Sequence, residues 1–148
     1  MPSPQIQFRA VSPLDERLTE RADGHFGRNM SEVARRDLTR YYGLLSQELA
    51  GVAKQLSEAQ ACAICDVMIG LHVDDQLMAV RYLDAEIEDA ADDGLGEKWG
   101  VDVAALAKLV KGFTLVQRLA LVDAVERWRS IPPGDGYESS LRAAGLIR

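Results

Sequence analysis

Gln5, Gln7 and Arg9 are the residues whose types and spacing best suit a chemistry, and that chemistry is the reading of base edges. Gln can bridge the N6 and N7 edge of adenine, and Arg the O6 and N7 edge of guanine, both in a major groove. The three alternate with Ile6, Phe8 and Ala10. In an extended segment a period of two puts the polar set on one face and the apolar set on the other. The remaining candidates are weaker. Cys62 and Cys65 form a C-x-x-C, the only cysteines of the chain. A redox site of this kind needs a βαβ setting and a zinc site needs two further ligands, so small buried apolar residues are the better reading. An EF-hand loop begun at Asp89 would have Gly100 at the twelfth position in place of a bidentate Glu, so Glu86, Glu88, Asp89, Asp92 and Asp93 read as a solvated helix face. Asp66 and Asp123 sit among apolar neighbours and suit caps or backbone partners better than a carboxylate pair. No triad signature or Gly-rich phosphate loop accompanies them. No catalytic residue, metal or cofactor is expected, and the chain is not read as an enzyme.

The elements that must position Gln5, Gln7 and Arg9 follow directly. Ser12-Pro13-Leu14-Asp15 is a helix start, with Ser12 as N-cap and Pro13 at the first helical position; Leu14, Leu18 and Ala22 then share a face. Gly24-His25-Phe26-Gly27 ends that helix. Asn29-Met30-Ser31-Glu32 opens another in capping-box fashion, with Val33, Leu38, Tyr41 and Leu45 on its apolar side. A lone strand needs a partner for its backbone groups, and no second strand pattern is found in the remaining residues. The simplest partner is the same strand of a second copy, antiparallel across a two-fold axis.

Strand, capped helix, Gly turn and capped helix over residues 4 to 45 resemble the ribbon-helix-helix family of DNA-binding repressors. The resemblance implies a dimeric antiparallel β-ribbon in the major groove of double-stranded DNA, with Gln5, Gln7 and Arg9 on base edges. It also implies phosphate binding at the start of the second helix, by Arg28 and the backbone of Asn29, Met30 and Ser31. Free N–H groups at a helix N-terminus give that assignment a physical basis. The turn is one residue shorter than in the family, which leaves the role of Arg28 open. A family member buries an Arg and Glu network in its second helix, and Glu32 and Arg36 match those positions. The expected dimer core is Ile6, Phe8, Leu18, Val33 and Leu38, with higher assembly on DNA left open.

Charge bears on this reading in two ways. The chain of 148 residues carries a net −6, yet residues 1–45 hold seven Arg against six acids, leaving −7 for the rest. Acid is thus segregated away from the expected DNA face, although +1 is small for a DNA binder and dimerisation must double it. The N-terminus has neither a basic start nor a continuous apolar run, and no stretch is long enough to span a bilayer, so a cytoplasmic protein is expected.

Beyond residue 45 the pattern is helical. Leu45, Leu49, Val52 and Leu56 continue a helical stripe, with Gly43 and Gly51 as possible breaks. Ser57 and Thr114 open capping boxes, Asp102 caps a helix through Lys111, and the segment 61–71 is apolar on most sides, as a central helix of a bundle would be. Residues 56–67 also line up with 113–124. The expected fold class is mainly α: a ribbon-helix-helix module of one strand and two helices (residues 1–45), a helical bundle (46–131), and a linker with a short C-terminal tail or helix (132–148). The bundle is expected to serve a protein or effector partner. The competing expectation is a protein-interaction chain, antitoxin-like or an assembly component, whose strand only joins dimers.

Overall fold

The computed structural model describes Thr19 and residues 30–71, 76–130 and 137–147. These residues form seven helices: α1 (Met30–Ala53), α2 (Glu58–Gly70), α3 (Gln76–Asp89), α4 (Leu95–Trp99), α5 (Val103–Lys111), α6 (Leu115–Ser130) and α7 (Tyr137–Ala143). The chain divides into two compact units, Met1–Gly43 and Leu44–Arg148.

The ribbon-helix-helix fold class is corrected here. Among the described residues there is no strand, and every element is helical. The alternating residues 5–10 lie outside the described residues. Alternation becomes a sheet only against a partner edge, and no described element offers one. The helix that carries Val33, Leu38, Tyr41 and Leu45 runs on to Ala53, past the possible breaks at Gly43 and Gly51. Gly43 and Gly51 cost a helix about 1 kcal/mol each relative to Ala. Leu45, Leu49 and Val52, spaced by four and three, enter the core and outweigh that cost at roughly 1.5–3 kcal/mol for each large side chain.

In the second unit the caps that the spacing predicts are present. Ser57 Oγ accepts from the Gln60 N–H at 3.2 Å while Gln60 Oε1 accepts from the Ser57 N–H at 2.9 Å. Thr114 and Gln117 repeat the arrangement at 3.2 and 3.0 Å. Asp102 Oδ1 accepts from the Ala105 N–H at 2.9 Å, so three helices start on side chains that satisfy otherwise free amides. Apolar residues all round α2 leave it buried through Ala61, Cys62, Ala63, Ile64, Cys65 and Met68. α3 sets Ala79, Leu83 and Ile87 on one face and packs on α5 and α6.

Two elements go beyond the sequence expectation. Gly94 adopts φ 80° and starts the short helix α4, which the spacing did not announce. The left-handed conformation costs a glycine little, which is why the turn after α3 can be this tight. The C-terminal segment is part of the core: Leu141, Ala144, Leu146 and Ile147 are all buried with α6. Gly145, at φ 78°, turns the chain back so that the Leu146 N–H donates to the Leu141 carbonyl at 3.0 Å.

A buried cation ties three helices together. Arg118 on α6 keeps only 8% of its side chain exposed and donates through Nη1 to Asp84 Oδ1 and to the Arg81 carbonyl, each at 2.9 Å. Its Nη2 donates to the Lys111 carbonyl at the end of α5, at 3.2 Å. α3 leaves helical geometry at Tyr82 (φ −121°, ψ 17°), next to the carbonyl that Arg118 takes. A kink of this kind frees backbone acceptors, and the guanidinium occupies one of them.

Candidate nucleic-acid interface

In the first unit, α1 carries two contrasting faces. At about 100° per residue, Leu38, Tyr41 and Tyr42 share one side of the helix, while Glu32, Arg35, Arg36, Thr39 and Arg40 cluster on another. The apolar side stays exposed: Leu38 at 47%, Tyr41 at 40% and Tyr42 at 51%. Tyr41 and Tyr42 meet edge to face, their ring centroids 5.2 Å apart. The arginine side lines a shallow hollow of about 570 Å³. Arg35 and Arg40 are exposed and pair with no carboxylate among the described residues. Thr39 donates its hydroxyl back to the Arg35 carbonyl at 2.8 Å, which engages its proton inside the helix.

Of the residues expected to contact DNA, Met30 is the first residue of α1 and Ser31, beside it, is exposed. Gln5, Gln7, Arg9, Arg28 and Asn29 lie outside the described residues. Of the expected dimer core, Val33 is fully buried in the single chain and Leu38 is half exposed, so the two do not share one free face. Ile6, Phe8 and Leu18 also lie outside the described residues. The arginine face was not legible as a site because exposed arginines on a helix are ordinarily a solvated surface. The spacing Arg35, Arg36, Arg40 with Thr39 between was the available signal.

The second unit holds an acidic cleft of about 390 Å³, formed by the ends of α2 and α3 with α4. Glu86, Asp89 and Asp93 stand on its rim, and Val67, Leu71 and Leu95 line its apolar part. Asp66 is not a free carboxylate there. Lys98 Nζ lies 2.9 and 2.7 Å from its two oxygens, and Trp99 Nε1 donates to Oδ2 at 3.1 Å. The hydrogen bond from Lys98 and then that from Trp99 hold the Asp66 carboxyl below its ordinary range, against the opposing effect of desolvation. A depressed carboxylate pKa contributes stability that is present above the unfolded value, about 3.9, and lost as pH falls through the folded one. Denaturation midpoints at pH 6 and pH 3 check this: the parent is expected to lose more on acidification than Asp66→Asn. Equal losses would show that the knot contributes nothing to pH dependence.

Asp123, aligned with Asp66 in the internal comparison, makes a different contact, an i to i+4 pair with Arg127 at 3.2 Å. Burial raises the Cys65 thiol to about 12 and, with help from Glu58, the Cys62 thiol to about 11. Thiols held protonated in this way are poor nucleophiles and poor metal ligands. Among the described residues no helix is long and apolar enough to cross a membrane. Set against family models, curated proteins and solved structures, the chain matches none of them.

Proposed function

We propose that this chain is a DNA-binding protein that acts as a homodimer, its first unit meeting double-stranded DNA and its acidic second unit serving a protein or effector partner. The observation that carries the reading is the pair of faces on α1: an exposed Leu–Tyr–Tyr surface of the kind a second copy covers, beside exposed arginines of the kind a phosphate backbone attracts. Charge supports it. The division at Gly43 falls where the sign changes, residues 1–43 carrying +1 and residues 44–148 carrying −7. A dimer doubles the positive charge brought to one stretch of DNA. Occupying its site, such a protein acts as a transcriptional repressor.

A second reading, a protein-interaction module of antitoxin or assembly type, draws on the same surface, because tyrosine and arginine are enriched in the energetic centres of protein interfaces. Sedimentation of the full chain, with selection of preferred duplexes from a random pool, separates the two. The expected result is a dimer at low micromolar concentration that Leu38→Ser with Tyr42→Ser turns into a monomer, and a reproducible preferred duplex. A dimer that enriches no duplex favours the interaction reading, and a monomer without DNA affinity overturns the proposal.

A further inference from the structure

We propose that Arg35 and Arg40 form a phosphodiester-binding pair on α1, a contact separate from the start of that helix at Met30. The inference rests on the DNA-binding reading and gives it a site. Both residues are exposed and reach the same hollow, whose wall among the described residues adds Arg36 as the third cation and Glu32 as the one carboxylate. The cations therefore outnumber the acid by two on this face. Arg35 and Arg40 stand five positions apart, an axial rise of roughly 7.5 Å and a turn of roughly 140° that their long side chains span to reach the one hollow. A phosphate backbone laid across that hollow would meet both guanidiniums.

Arg rather than Lys suits the role because its planar fork can bind two phosphate oxygens at once. Thr39, between them, spends its hydroxyl proton on the Arg35 carbonyl, so the guanidiniums supply the donors. Both guanidiniums are assigned to the phosphate backbone, and phosphate contacts position a protein on DNA without choosing sequence.

The test is titration of the full chain with a selected duplex and a random duplex at several salt concentrations. Arg35→Gln and Arg40→Gln keep helix propensity close to that of Arg, and circular dichroism confirms that α1 persists. Each variant is expected to weaken both duplexes by a similar factor and to lower the salt slope by about one, and Arg40→Lys should restore the slope. Variants that keep the parent's affinity and slope, while the parent binds DNA, overturn the pair and leave the DNA reading standing. A parent that binds neither duplex overturns both, and a parent that instead binds poly-glutamate through Arg35 and Arg40 replaces DNA with an acidic protein.

Discussion

Arg118→Ala is expected to lower the unfolding free energy by about 3–5 kcal/mol, the range for removing one partner of a buried, hydrogen-bonded ion pair. The size follows from what is left behind. Asp84 loses its cation, the Arg81 carbonyl at the kink of α3 loses its donor, and the Lys111 carbonyl at the end of α5 loses the cap it draws from α6. Each stranded acceptor costs about 1–3 kcal/mol where water cannot reach it. Asp84→Asn should cost less, because an amide oxygen can still accept from the guanidinium. Urea denaturation of parent and both variants decides the matter. A loss below about 1 kcal/mol for Arg118→Ala would mean that water replaces the guanidinium and that the three helices do not depend on it.

Leu141→Ala is expected to cost about 2–5 kcal/mol, as for other fully buried leucines. Leu141 is fully buried, and Trp128 Nε1 donates to Ser140 Oγ at 2.9 Å, so α7 is held to α6 by both apolar and polar contact. A C-terminal tail outside the core would give a change within about 0.5 kcal/mol, the range of ordinary surface positions. The measurement is again a denaturation midpoint, with the slope checked for constancy so that stability and not compactness is compared.

Local signals were legible in the sequence and distant ones were not. The caps at Ser57, Asp102 and Thr114 depend on residues three apart, so the chain spells them out. The burial of α2 was equally plain, since apolar residues on every side leave a helix no solvent face. Arg118 gave no such sign, because its partners lie 34 and 37 residues away and one of them is a backbone carbonyl exposed only by a kink. The segment 132–148 was legible as a linker with a short tail or helix, but not as part of the core that Leu141, Leu146 and Ile147 complete, because their contacts are distant in sequence. The ribbon came from a period-two pattern over six residues, a signal too short to carry a sheet without a visible partner strand. On the candidate site, the apolar side of α1 was legible as a stripe. Its exposure was not, because burial depends on what packs against a helix and periodicity reports only that one side differs from the other.

The C-x-x-C of α2 gives the second unit an internal clock. Cys62 and Cys65 lie one turn apart on α2, both protonated at neutral pH, and Cys65 is fully buried. An alkylating agent can reach Cys65 only when the helices around α2 part, so the rate of loss of that thiol in excess reagent counts those openings. Where closing outpaces alkylation the rate reports how often the open form is populated, and where alkylation wins it reports how fast the bundle opens. A partner that seats on the second unit and steadies it would slow that clock, which makes a buried sulfur a gauge of binding for a ligand whose chemistry is not known in advance.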